Sequence, residues 1–342
     1  MKISTTPYSA HQLVKLFSQQ IGASCKTDCL EVVLRIPQKY GKGILRGFEF
    51  SDGISLILLD CVLKDDLTIL FERSIPPIQF NFSVKGGIKH FYNSGSIQYF
   101  LNPLQGTITS DLIDCENGFQ FPGNQEVTFA CLMIEREQYL KKIDCILEKM
   151  PPKLQSVFTD SNAKTAFFYQ GNYSITSSEC IQTILTDEHT GLVRSTYLEG
   201  VTLELFSGQI KQFKDDLATL GKQVTIRKQD VEKILEAKEI LLKDFQNPPT
   251  IKELAKLVAI NESKLKSGFK KVFDLPIKTW LRNKRLEMAK LLLLEESRGV
   301  GAIAEAIGYT NRSHFARRFK EKFGVLPKDY AQTIRDKFIH IE

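Results

Sequence analysis

The hydrophobic positions change period twice along the chain. Over residues 8–20, Leu13, Leu16 and Phe17 share one face of a short amphipathic helix. From residue 30 to about 134 the period falls to two. Val32, Leu34 and Ile36 alternate with Val33 and Arg35, and Ile44, Phe48 and Phe50 follow. Residues 55–62 are almost wholly apolar, as in a strand buried on both faces. Pro76 and Pro77 interrupt the pattern, and residues 79–84 then alternate cleanly before Gly86 and Gly87. Further short strands are predicted near residues 96–101, 106–109 and 126–134. Many short strands punctuated by Gly and Pro predict a β-sandwich or small barrel.

From Glu135 the helical period returns, and helices are expected over 135–148, 153–159, 176–187, 191–220 and 227–245. Leu198, Leu203, Leu205, Ile210, Phe213 and Leu217 form an apolar set. Packing on the barrel accounts for it, and a homodimer seam is the other reading. Asn247, Pro248 and Pro249 break the pattern, and Thr250 is placed to cap a new helix.

The stretch that follows, residues 250–330, repeats itself. Residues 251–258, a turn at 259–261 and residues 262–273 make one helix-turn-helix pattern; residues 300–309, a turn at 310–311 and residues 312–323 make a second. Ala255 and Ala304 are small residues that let a second helix cross close by. Leu254, Leu257, Leu265 and Phe269 are expected to pack the first unit, and Ile303, Ile307, Phe315 and Phe319 the second at the same offsets. The opposite faces are polar and basic. Ser263, Lys264, Lys266, Ser267, Lys270 and Lys271 line the first, and Arg312, Ser313, Arg317, Arg318 and Lys320 the second. Long or forked donors for base edges, flanked by charge for phosphates, are what a helix needs in a major groove. Between the units, residues 277–295 carry Ile277, Leu281, Met288 and Leu292, with Leu286, Ala289 and Leu293 broadening the stripe. Such a helix is roughly 28 Å long, and successive major grooves lie about 34 Å apart on one side of a duplex. The same periodicity also fits an ordinary helical bundle with a solvated basic face.

The spacing narrows the choice. Ala255, Leu265, Phe269, Trp280, Leu281, Arg285, Leu286, Ala289, Leu293, Ile303, Ala304, Gly308 and Tyr309 stand at the positions of a known pattern. Ser313, His314, Phe315, Arg317, Arg318, Phe319, Lys320, Phe323, Gly324, Pro327 and Tyr330 continue it. The segment resembles the DNA-binding domain of AraC/XylS-type bacterial transcription regulators. Its lead-in at 231–250 and the Lys-Leu-Lys-Ser-Gly-Phe run at 264–269 look most like the PchR-like branch, which governs siderophore uptake. The resemblance implies an α+β multidomain fold: an N-terminal antiparallel β (cupin-like) sensor domain with helices, then an all-α double helix-turn-helix domain. The expected boundaries are 1–134 for the sensor, 135–222 for a helical extension that is a candidate for dimerisation, and 227–342 for the DNA-binding domain. Ser263, Lys266, Ser267, Arg312, Ser313 and Arg317 would then read bases, while Lys270, Lys271, Arg318 and Lys320 would meet phosphates. Double-stranded promoter DNA, RNA polymerase and a small-molecule effector are the implied partners, with activation of ferric-siderophore uptake genes as the branch function. A sugar or another small metabolite is the alternative effector. Two positions depart from the pattern. Ala259 stands where Gly is frequent, and the first reading helix exits at Asp274, where the second has Gly324.

Charge agrees with this division. Residues 222–342 hold 26 Lys and Arg against 16 Asp and Glu, a net +10, while the preceding residues hold 20 against 24, a net −4. The seven cysteines are scattered, which suggests reduced thiols in the cytoplasm. Cys25 and Cys29 are spaced like metal ligands, but no second pair follows, and no metal or other cofactor is expected. Residues 1–20 show no charged-then-apolar leader, and no run approaches the roughly 18–20 apolar residues of a membrane span. An enzyme is not expected. Only His90 falls among the strands, short of the histidine set of a catalytic cupin, and there is no nucleophile elbow, phosphate loop or dinucleotide fingerprint. A DNA-repair methyl acceptor with a related tail is the other class, and it needs an activated thiolate or a cysteine–zinc cluster in the front half. For the effector, the candidate pocket residues are the inward strand aromatics Phe48, Phe50, Phe80, Phe82 and Tyr99, which are core by default.

Overall fold

The computed structural model describes residues 2–5, 9–71, 75–92, 97–113, 117–218, 228–244, 246–273, 275–295 and 299–332. They fall into two compact units, Met1–Thr225 and Ile226–Glu342. In the first, an eight-stranded sheet faces a five-stranded one. The larger runs β13 (Phe167–Tyr173), β10 (Gln105–Ser110), β7 (Ile78–Lys85), β12 (Glu126–Ile134), β5 (Ile54–Leu63), β4 (Gly41–Glu49), β3 (Glu31–Arg35), β2 (Cys25–Thr27). The smaller runs β1 (Lys2–Thr5), β6 (Leu67–Phe71), β11 (Asn117–Phe121), β8 (Ile88–Tyr92), β9 (Ile97–Leu101). Pairing is antiparallel except between β1 and β6.

The near-continuous apolar run of β5 follows from its position, because both of its faces are covered. Ile57, Leu59, Cys61 and Leu63 enter the core between the sheets, with Phe119, Phe121, Phe129 and Met133. Ile54, Leu56 and Leu58 enter a second core, beneath helices on the outer face of the larger sheet. Those helices are α2 (Arg136–Ile143), α3 (Pro152–Thr159), α4 (Ile175–Leu185) and α5 (Gly191–Ala218), while α1 (Ala10–Gln20) adds Leu13, Val14 and Phe17 to the inter-sheet core. On α5, Leu198, Leu205, Phe206 and Phe213 are buried in the second core and Leu203, Ile210 and Leu217 pack against it. The apolar set of this helix is therefore spent on the sheet.

The segment 135–222 is not purely helical as expected. β13 lies within it and pairs with β10, closing one edge of the larger sheet. Its sequence, FFYQGNY, lacks clean alternation because both Phe167 and Phe168 find aromatic partners, Phe213 for the first and Tyr99 for the second. The short strands β1 and β2 also escape a period-two reading.

In the second unit, α6 (Lys228–Lys243) precedes α7 (Ile251–Leu257), α8 (Glu262–Phe273), α9 (Ile277–Glu295), α10 (Val300–Ala306) and α11 (Arg312–Phe323). Asp274, the expected exit of the first reading helix, lies outside the described residues.

Candidate nucleic-acid interface

The helix starts are built from local side-chain chemistry. Thr250 Oγ1 accepts from the Glu253 amide at 3.3 Å and Glu253 Oε2 accepts from the Thr250 amide at 2.8 Å, a reciprocal cap that starts α7. Asn261 Oδ1 takes the Lys264 amide at 2.7 Å to start α8, and Asn311 Oδ1 takes the His314 amide at 2.8 Å to start α11. Each turn needs a left-handed residue after the first helix. The second unit supplies Gly308 at φ +80°, and the first forces Ala259 to +52°. The next amide bonds back to the small residue of the first helix in both units, Ile260 to Ala255 and Tyr309 to Ala304.

Three packing expectations are corrected here. Leu257 is 59% exposed, and Val258, at 2%, takes the place beside Leu254. The offsets also differ: Ala259 and Gly308 are 49 residues apart, Leu265 and Phe315 are 50, so Thr310 is an extra turn residue in the second unit. Helix α7 ends one position before the inward Val258, which turns Leu257 out. On α9, Met288 faces solvent, and Trp280 takes part in its buried stripe with Ile277, Leu281, Leu286, Ala289 and Leu293. Trp280 packs edge-on to Phe269 in the first unit, while Leu286, Ala289 and Leu293 join Ile303, Phe315 and Phe319 in the second. One helix thus contributes to both cores.

The reading faces are the outward sides of α8 and α11. Ser263, Lys266, Ser267, Lys270 and Lys271 are exposed on α8, opposite buried Leu265, Phe269 and Val272. Arg312, Ser313, Arg317 and Lys320 are exposed on α11, opposite buried Phe315 and Phe319, and Arg318 is half-buried. Several of these cations already have acidic neighbours. Lys266 Nζ lies 3.4 Å from Glu262, Arg312 Nη2 3.3 Å from Glu305, and Arg318 Nη1 2.8 Å from Glu321. Two side-chain pairs tie this surface together. Lys264 Nζ reaches Asp230 of α6 at 2.9 Å, and His314 Nε2 lies 3.4 Å from Arg318 Nε. The i,i+4 spacing of His314 and Arg318 was visible in the sequence, but the Lys264–Asp230 pair spans 34 residues and was not. Behind α8 lies α6. A Cβ on Gly268 would fall 2.3 Å from Ile234 Cδ1, so the absence of a side chain there permits the close approach.

In the first unit, Phe48, Phe80 and Phe82 are fully buried beneath the helices, and Phe50 packs against that core, stacked on Phe48. Tyr99 stacks on Phe168 with centroids 3.5 Å apart. The inward face of β7 and β10 is polar. Asn81 Nδ2 lies 3.3 Å from Thr107 Oγ1 and 3.5 Å from Thr109 Oγ1, Thr109 Oγ1 lies 3.5 Å from Gln79 Oε1, and buried Asn81 Oδ1 finds no hydrogen-bond partner among the described residues. Burial pushes the nearby sheet's His90 imidazole down to about 4, so the ring is neutral. The inter-sheet cavity lined by Leu45, Ile57, Phe71, Phe119, Phe129 and Met133 measures about 20 Å³, room for one water-sized group. On the outer face of the smaller sheet, Asp66, Lys89, Phe100, Gln120, Pro122 and Gln125 line an open groove of about 170 Å³.

Comparison with known proteins now places this architecture. A family described as "Helix-turn-helix domain" matches residues 254–333. A second, "Regulatory protein PchR N-terminal domain", matches residues 40–223, more than half of the chain. The chain belongs to the PchR family of AraC-type regulators. Its residues 254–333 form the family's helix-turn-helix domain. Regulatory protein PchR of Pseudomonas aeruginosa is 33% identical over 117 residues, covering 34% of this chain and 39% of that protein. The Bacillus subtilis bifunctional transcriptional activator/DNA repair enzyme AdaA is 27% identical over 94 residues, covering 28% of this chain and 44% of its own length. Among solved structures, the C-terminal domain of the response regulator yesN from Fusobacterium nucleatum is 30% identical, covering 28% of this chain and 95% of that one, with a TM-score of 0.27. The chain spans well under two thirds of the length of curated relatives it matches: 39%, 12% and 35% of three of them. No helix among the described residues is long and apolar enough to cross a membrane.

Proposed function

We propose that this PchR-type chain is a ligand-responsive, sequence-specific regulator that activates siderophore- or iron-uptake receptor genes. The observation that carries the DNA half is a pair of outward basic helices, α8 and α11, seated on the two cores that α9 shares. In this reading α8 and α11 enter adjacent major grooves of promoter DNA. Ser263, Lys266 and Ser267 face bases in one groove, and Arg312, Ser313 and Arg317 in the other. Lys270, Lys271, Arg318 and Lys320 meet phosphates, and RNA polymerase is the downstream partner in the cytoplasm. A homodimer would bring two such pairs to one site. Burial pushes the Cys61 and Cys180 thiols up to about 12, so neither of these two is the activated thiolate that a methyl acceptor needs.

A ferric siderophore is the leading effector, supported by the family match over residues 40–223. The inter-sheet cavity admits a water-sized group, so a bulky chelate needs another seat; the groove with Lys89 and the 51%-exposed Phe100 offers charge and an aromatic face. The second reading is a small neutral metabolite such as a sugar. The uncharged amides of Gln120 and Gln125 in the wall of that same groove favour it. Genome-wide occupancy of the tagged chain separates the two. Peaks beside outer-membrane iron-receptor genes, with a thermal shift of the full chain on adding ferric siderophore, are expected; peaks beside sugar operons overturn the siderophore reading. Sequence-blind, salt-erased attachment everywhere overturns both.

A further inference from the structure

The second reading helix places two arginines side by side and one carboxylate a turn beyond them. Glu321 follows Arg317 by four residues and Arg318 by three, the two spacings that share a helix face. Its oxygens are divided between them: Oε2 accepts from Arg318 Nη1 at 2.8 Å, and Oε1 lies 3.9 Å from Arg317 Nε. The two guanidinium groups end in different states. Arg318 is held at both Nη1 and Nε, the latter 3.4 Å from His314 Nε2, and its side chain is 33% exposed. Arg317 is approached at Nε and is 65% exposed.

We infer that Glu321 is a positioning residue for base readout: it steadies Arg318 through Nη1, leaving Nη2 for a phosphate, and aims the terminal fork of Arg317 into the groove. The inference rests on the reading that Arg317 meets a base edge. An approach at Nε leaves both terminal nitrogens of Arg317 for the two acceptors of guanine. Holding a long side chain in that attitude before binding removes part of the ordering cost of the contact. The hydrogen bond from Arg318 holds Glu321 as a carboxylate, with its pKa below the ordinary glutamate range. That charge also repels any duplex it approaches, whatever the sequence, and so lowers unspecific attachment. Glu321 therefore acts on both sides of the specificity ratio: it strengthens the correct contact and weakens the indifferent one.

The test uses the full chain and the duplex it selects from a randomised pool. Wild type, Glu321→Gln, Arg317→Ala and the double variant are titrated against that duplex, its single-base variants and an unrelated duplex, at two salt concentrations. Arg317→Ala is expected to flatten preference at one base pair. Glu321→Gln is expected to flatten the same base pair by about two- to fivefold, the scale of an exposed ion pair, and to raise affinity for the unrelated duplex by a similar factor. In the double variant the preference is expected to match that of Arg317→Ala alone, because nothing remains for Glu321 to aim. If Arg317→Ala flattens a position and Glu321→Gln leaves it sharp, or blurs a different position, the positioning role is overturned while the readout stands. If Arg317→Ala changes no preference, the readout assignment falls and the positioning role with it.

Discussion

The two helix-turn-helix units share a backbone and differ in how they secure it. Both start the reading helix with Asn, bond the turn back to a small residue, and require one left-handed residue. The first meets that requirement with Ala259, against the preference of L-residues, and the second with Gly308. The first is braced from behind by α6, through Ile234 against Gly268, Lys264 to Asp230, and Lys233 Nζ to the Ala259 carbonyl at 2.9 Å. The second is braced by α9 and Gln246: Arg285 Nη1 reaches the Gly308 carbonyl at 3.3 Å, Gln246 Nε2 the Ala306 carbonyl at 3.2 Å, and Lys322 Nζ bonds to Glu287 at 2.9 Å. Their outward chemistry diverges further, lysine and serine in one and forked arginines in the other. The motif is thus a geometry that several residue sets satisfy, and its reading chemistry is set independently of its framework.

This contrast can be broken at four points. The largest effect belongs to the cores. Phe269→Ala and Phe319→Ala each remove a fully buried ring, and each should cost about 3–5 kcal/mol of unfolding free energy in denaturant titrations. A cost well below that for either would mean that its unit collapses around the gap and is not a fixed frame. Next comes readout. Arg317→Ala should weaken binding to the selected site by about 1–3 kcal/mol and blur one base pair; Ser267→Ala on the first reading helix should lose less, since a single hydroxyl replaces a fork. Equal losses would remove the proposed division between forked and unforked reading. Third, Gly268→Ala should destabilise the first unit by about 1–2 kcal/mol, overpacking against Ile234 outweighing the helix-propensity gain. Ile234→Val, which deletes the Cδ1 in the way, should recover part of that loss in thermal melts, and no recovery would place the strain elsewhere. The smallest effect is in the turns. Ala259→Gly should stabilise by about 0.5–1 kcal/mol and Gly308→Ala should destabilise by at least as much. Two substitutions with the same sign would show that the turns are not equivalent.

The sequence disclosed most where a residue has one job. Alternation in 79–84 reported a strand with a helix-covered face, and the spacing of Leu265 and Phe269 or Phe315 and Phe319 reported the inward side of each reading helix. It failed where one residue serves two layers or a distant one. Leu257 fits a helical stripe, yet the helix ends beside it and Val258 turns inward. Phe48, Phe80 and Phe82, by contrast, are core by default in the sequence and pack as core beneath the helices. The polar ladder around Asn81 was hidden because an alternating strand is ordinarily read as apolar inside and polar outside, and here both faces are inside. Ion pairs such as Lys264 with Asp230 carry no local signal at all.

Strand β13 has a practical corollary. A truncated product ending at residue 134 would carry β10 with its outer row of amides and carbonyls bare, an open template for intermolecular pairing and precipitation. On the ribosome the same row stays uncovered until residue 173 has emerged, so the larger sheet cannot close strand by strand behind the exit tunnel. Soluble fragments of the front half should therefore begin to appear only when the expressed segment extends past β13.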